Sequence, residues 1–189
     1  FMENTADRLQ IIYGDATLGV KGEDYRYIFS YASGGLESLH AGGKEWLYRT
    51  PKPTFWRAVT DNDRGNEFPL RSGMWLSADM FIRTVKRLVR VDGKEIPFPI
   101  APENNRYGQD CFAEEVTVTF VYETITVPST IVTVAYQVDA GGRIQCDVHY
   151  QGRQGLPELP VFGMRFILPT AAEGYRYKGL SGETYPDRR

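Results

Sequence analysis

The chain has 189 residues, 42% hydrophobic and 24% charged, with 22 Lys and Arg against 24 Asp and Glu for a formal charge of −2. This composition suits one globular domain over residues 1–189, excludes wholesale disorder, and leaves no electrostatic footprint for nucleic acid or an anionic membrane surface. Eleven prolines, 19 glycines and 13% aromatic residues predict a turn-rich, all-β fold.

Residues 9–13 are predicted as a first short strand, closed by Gly14-Asp15. Residues 25–31 alternate, with Tyr25, Tyr27, Phe29 and Tyr31 on one face. Ser33-Gly34-Gly35 supplies a turn in which positive φ is cheap, residues 36–40 continue the hairpin, and Ala41-Gly42-Gly43-Lys44 turns again. Trp46-Leu47-Tyr48 resumes an extended segment that is expected to end at Pro51-Lys52-Pro53, because proline removes a backbone donor. Residues 61–67 read as a polar loop, and residues 70–80 as the one plausible helix, with Trp75, Ala78 and Phe81 or Ile82 at helical spacing. Residues 97–110 read as a loop.

The clearest signal follows. Residues 116–122, 132–138 and 144–150 each alternate apolar with polar side chains, and Asp139-Ala140-Gly141-Gly142 joins the last two as a hairpin. These are three strands of an antiparallel meander with one polar face. Residues 161–168 are mostly apolar and predict a more deeply buried strand. Residues 178–189 read as a connection inside a domain, so the sandwich is expected to be incomplete at its C-terminus.

Little independent chemistry is visible. Cys111 and Cys146 have no C-x-x-C spacing, which argues against a disulfide scaffold or a cysteine zinc site. No secretory leader, no apolar run of ~18 residues and no Asn-x-Ser/Thr sequon occurs, which favours a cytoplasmic location. Asp61-Asn62-Asp63-Arg64-Gly65-Asn66-Glu67 fails the calcium-loop pattern, since Gly65 falls where an oxygen ligand is needed and Ser72 where the glutamate belongs. Asp and Asn side chains that bond local backbone are the simpler reading of that loop. Glu114 and Glu115 are sequential and point to opposite faces of a strand, so they are no glycosidase pair. His40 and His149 are the only histidines, too few for a His₃ metal site, and His149 falls on the polar face of its strand. Trp46, Phe55, Trp56 and Trp75 are either a sugar-stacking platform or, more commonly, core.

Phe55-Trp56-Arg57-Ala58-Val59-Thr60-Asp61-Asn62-Asp63-Arg64-Gly65 closely resembles a signature of large bacterial β-galactosidases, with Val59 where proline is usual. Leu156-Pro157-Glu158-Leu159-Pro160-Val161-Phe162-Gly163-Met164 resembles that family's Pro-Arg-Ile/Val-Gly-Met strand, with Val161-Phe162 in place of Arg-Ile. Gly179-Leu180-Ser181-Gly182-Glu183-Thr184-Tyr185-Pro186-Asp187-Arg188 is similar to a third family motif, with Ser181-Gly182 for Gly-Pro. Three motifs in order make the resemblance specific. It implies the family's C-terminal, small-chain-type domain, an antiparallel β-supersandwich like that of galactose mutarotase. It also implies that the catalytic glutamates, and the Mg and Na that these enzymes commonly use, belong to a separate barrel domain or large chain. No catalytic residue, metal ligand or cofactor is therefore expected here. The resemblance places Trp56, Arg57, Asp61, Asn62 and Asp63 in a structural motif and Gly65, Asn66 and Glu67 on a loop at the substrate entrance, with Gly65 suited to be a hinge. The implied partners are the barrel-bearing chain and the galactoside, and a homo-oligomer stays open. An aldose mutarotase and a free-standing carbohydrate-binding sandwich are the rival readings.

Overall fold

A computed structural model describes residues 8–97, 111–176 and 178. The period-2 segments form long strands, because alternation lets one face of each pack inward while the other stays wet. Strands β1 (Leu9–Tyr13), β2 (Thr17–Lys21), β3 (Tyr25–Ser30), β4 (Gly35–Ala41) and β5 (Lys44–Glu45) form an antiparallel meander. Short β9 (Phe112–Ala113) adds to its far edge, giving a six-stranded sheet ordered β5-β4-β3-β2-β1-β9. A second sheet is five-stranded, ordered β12-β11-β10-β7-β8, from β7 (Arg83–Val91), β8 (Lys94–Ile96), β10 (Glu115–Glu123), β11 (Ile131–Asp139) and β12 (Ile144–Tyr150). The fold is an all-β sandwich.

The two sheets share one core. Leu9, Ile11, Leu18, Val20, Tyr27 and Phe29 from the first meet Val116, Val118, Phe120, Val134 and Tyr136 from the second. The Phe29 and Tyr136 rings lie 5.6 Å apart across the interface. Tyr25 and Tyr27, stacked at 4.9 Å, both donate their hydroxyls to carbonyls of the β11–β12 turn, at Ala140 and Gly142. The expected face of Tyr25, Tyr27, Phe29 and Tyr31 is buried as a set.

Other expectations need correction. Residues 51–53 do not end an extended segment; Pro51 and Pro53 lie inside β6 (Arg49–Thr54) and both are buried. Among the described residues β6 pairs only with β13 (Gly163–Ile167), in a separate two-stranded ribbon, so an edge is available where a missing N–H costs nothing. The buried strand expected over residues 161–168 is shortened to β13 and only its start packs inward: residues 161–164 are half-buried, while Phe166, Ile167 and Leu168 are exposed, because the ribbon carries no third strand among the described residues. No helix spans residues 70–80. The chain instead makes α1 (Asp61–Gly65), α2 (Phe68–Arg71), a 3₁₀ turn over Gly73–Trp75, and turns to Met80. Ser77, at φ 62°, breaks any helix there. The loops expected at 97–110 and 178–189 fall, apart from Pro97 and Lys178, outside the described residues. No helix among the described residues is long and apolar enough to cross a membrane.

One turn welds the two sheets and the ribbon together. Gly34 sits at φ 67°, and its carbonyl accepts the Tyr122 hydroxyl from β10. Lys52 of β6 reaches the neighbouring Ser33 carbonyl at 2.7 Å, its ammonium 5.1 Å from the Tyr122 ring centre. A Cβ on Gly34 would lie 1.9 Å from Thr84 Oγ1 and 2.9 Å from Thr84 Cβ. Gly34→Ala is therefore expected to cost about 2–4 kcal/mol, from left-handed strain plus overpacking. Gly42→Ala, also at positive φ (57°) but facing open space, provides the comparison. It should lose only ~1 kcal/mol in urea titration. Equal losses at the two glycines would refute the packing argument.

Candidate functional site

The residues singled out by sequence lie on one segment that runs from β6 to the 3₁₀ turn. Phe55 follows β6 into the core and is fully buried, stacked 5.3 Å from Trp75 and 6.1 Å from Phe162. Trp56 is half-buried against the same core. The chain then turns outward, and Thr60 starts α1 as its N-cap. The Asp63 N–H donates to Thr60 Oγ1 at 3.2 Å, and the Thr60 N–H donates to Asp63 Oδ2 at 2.7 Å, a reciprocal capping box. Two of the helix's otherwise orphaned donors are satisfied in this way. Residues 61–65, expected as loop, are thus a single helical turn.

Asp63 has a second partner. Arg57 donates from Nη1 to Oδ2 at 2.6 Å and from Nη2 to Oδ1 at 3.1 Å, a planar two-point fork. Those bonds, with the Thr60 N–H next, hold the Asp63 carboxyl well below its ordinary range, and the same pair raises Arg57. A carboxylate kept ionised in this way has no proton to give as a general acid. Asp61 is exposed and, among the described residues, pairs only with Arg64, at 2.7 Å. Asn62, Gly65, Asn66 and Glu67 are exposed. Gly65 lies in the last turn of α1 and is not at positive φ; the left-handed residue is Glu67, at φ 55°. Any unusual backbone demand therefore falls two residues after the glycine.

Sequence reasoning did not link this segment to the Pro157-Glu158-Leu159-Pro160 strap, although both carry family resemblance. Three side chains bind the strap's carbonyls. Arg57 Nε donates to Pro160 O at 3.3 Å, Ser72 Oγ to Glu158 O at 2.8 Å, and Trp75 Nε1 to Pro157 O at 3.1 Å. Prolines supply acceptors without donors, and fully buried Ser72 and Trp75 answer with donors from side chains.

The aromatic platform does not assemble. Phe55 and Trp75 are core, and the Trp46 ring, though 42% exposed, has the Lys44 ammonium 4.6 Å from its centre. His40 lies on β4 in one sheet, and exposed His149 on β12 in the other. Among the described residues no three His, Cys, Asp or Glu side chains gather in a metal-binding group. In the Asp61–Asp63 turn both carboxylates already face arginines. That donor set does not fit Mg or Na.

The sequence profile described as beta galactosidase small chain matches residues 21–189. The chain belongs to the β-galactosidase small-chain family. A β-galactosidase small subunit from Latilactobacillus sakei is 62% identical over 187 residues, covering 99% of this chain and 59% of that protein. β-Galactosidases from Clostridium acetobutylicum and Lactobacillus delbrueckii subsp. bulgaricus are 39% and 34% identical over 98% and 96% of this chain, which spans 18% and 16% of their lengths. The chain thus covers about three fifths of a small-chain relative and under a fifth of the long ones. The segment tied together by Arg57, Thr60 and Asp63 is the one that resembles a signature of the family, and its polar residues have a physical task here: they fix a one-turn helix on the sandwich surface.

Proposed function

We propose that this small-chain segment is a non-catalytic part of a β-galactosidase, a retaining glycoside hydrolase acting on terminal β-D-galactosides such as lactose. It supplies scaffold beside a barrel-bearing large chain, and Gly65, Asn66 and Glu67 border the substrate entrance. The observation that carries the reading is the 62% identity to a β-galactosidase small subunit along nearly the whole chain. The site agrees with it. A retaining mechanism needs two carboxyl groups about 5–5.5 Å apart, one of them able to hold a proton. The most heavily hydrogen-bonded carboxylate of the motif, Asp63, is instead consumed by Arg57 and the α1 cap.

The expected result is hydrolysis of an aryl β-galactoside by the co-expressed large and small chains, and none by the purified small chain. Turnover by the small chain alone, surviving rigorous purification, would overturn the proposal.

A further inference from the structure

The exposed α1–α2 corner, residues 64–67, takes in the last two residues of α1 and the link to α2; this loop is bounded by two anchored residues, and one side chain touches both. Asp63, just before it, takes the Arg57 fork at 2.6 and 3.1 Å. Phe68, just after it, is buried and carries the Arg57 guanidinium over its ring at 5.6 Å. The third edge of the same guanidinium binds the Pro160 carbonyl at 3.3 Å. The backbone bonds of this loop are local: the Arg64 N–H donates to Thr60 O at 3.1 Å, the Asn66 N–H to Asn62 O at 3.0 Å and the Glu67 N–H to Arg64 O at 3.2 Å, while Glu67 O accepts from Leu70 and Arg71. The other ion pair beside it, Asp61 to Arg64, is exposed and holds little.

We propose that Arg57 is a clasp: it closes the base of loop 64–67, locks that base to the Pro157–Pro160 strap, and so positions the loop. The loop's position then follows the strap rather than the loop's own sequence. A planar five-donor fork is required, because Asp63, the Pro160 and Ala58 carbonyls and the Phe68 ring approach one guanidinium from different edges and its face. Lysine offers the charge but cannot serve Asp63 at two points while reaching Pro160. For its effect on the loop the clasp stands on these contacts. For its effect on substrate it rests on the reading that the loop borders the entrance.

The test uses the complete small chain assembled with its large chain, as native protein and as Arg57→Lys and Asp63→Asn. Asp63→Asn keeps an oxygen for the Thr60 N–H and removes the ionic fork. The bonded amides of Asn66 and Glu67 should exchange with deuterium about tenfold faster in both variants, the size expected when a charge-assisted contact is lost. Amides of Val118 and Val134, in the core strands, should be unchanged. KM for the galactoside should rise several-fold with kcat near native. Native exchange at 66 and 67 in a folded variant overturns the clasp. Global loss of protection in both variants also overturns it, since the pair would then support the whole fold. Faster local exchange with unchanged KM supports the clasp and overturns the entrance-loop reading instead.

Discussion

Trp75→Ala is expected to cost about 3–5 kcal/mol, the range for truncating a fully buried large aromatic side chain. Three contacts are lost together. The indole stacks on Phe55 at 5.3 Å, meets Tyr150 edge-on at 6.0 Å, and donates to Pro157 O at 3.1 Å. Phe55, Tyr150 and Phe162 remain as the walls of a cavity. Tyr150 ends β12, while Phe55 and Phe162 flank the paired ends of β6 and β13, so the backbone leaves these rings little room to collapse inward. The Pro157 carbonyl also loses its donor. Folded domains hold only about 5–15 kcal/mol in total, so the variant forfeits a large fraction of it. At roughly 2–4 °C per kcal/mol for a chain of this size, calorimetry should show a fall of about 10 °C. Trp75→Phe keeps a ring against Phe55 and drops the N–H, so about 1–3 kcal/mol of loss is expected. A Trp75→Ala melting point within a few degrees of native would mean that this tryptophan is not what joins the motif segment to the sandwich.

Where burial alternates along a strand, the sequence announces it. β10 and β11 pair without a slip from Glu115–Asp139 to Glu123–Ile131, and the buried residues are the apolar members of the alternation. β7 hides from the same search, since its Arg and Lys residues interrupt the pattern and only Val89 is fully buried. A signal was nevertheless present: Asp92-Gly93, both at positive φ, is the two-residue turn that joins β7 to β8. The expected helix at 70–80 fails for the opposite reason. Trp75 and Ala78 do bury, but Leu70, Met80 and Phe81 are exposed, so the helical spacing marks no buried stripe. At the motif, the reciprocal capping of Thr60 and Asp63, three residues apart, could be read from the chain, because Thr-x-x-Asp approximates the capping-box pattern. The bonds from Arg57, Ser72 and Trp75 to residues 157–160 could not, since they join positions more than eighty residues apart and end on backbone carbonyls that carry no residue signature.

Alkaline unfolding should be steep, and the core tyrosines set its position. Tyr122 and Tyr136 are fully buried, and burial raises both hydroxyls far above the ordinary 10.0; the nearby Cys146 adds to each and Tyr122 adds to Tyr136. Tyr31 is raised by burial and then by Tyr13, and Tyr25 is pushed up to about 12 by burial, then by Tyr27 and Asp139. A raised pKa in the folded state means that the folded protein holds the proton longer than the unfolded chain. The stabilisation is therefore whole below pH 10 and is lost as pH climbs above it. Each tyrosine still protonated when folded and ionised when unfolded steepens the decline by about 1.4 kcal/mol per pH unit, so Tyr122 and Tyr136 alone give ~3. The Tyr136 hydroxyl has no hydrogen-bond partner among the described residues, which leaves its proton nothing to do in the folded state except avoid a buried charge. Tyr136→Phe should therefore be near neutral at pH 7 and should move the alkaline midpoint upward. Tyrosinate absorbance at 295 nm from the buried set should appear together with the loss of far-ultraviolet dichroism. Ionisation of Tyr122 or Tyr136 while the dichroism stays native would show that water reaches the space between the sheets, and the sandwich core described above would be wrong at its centre.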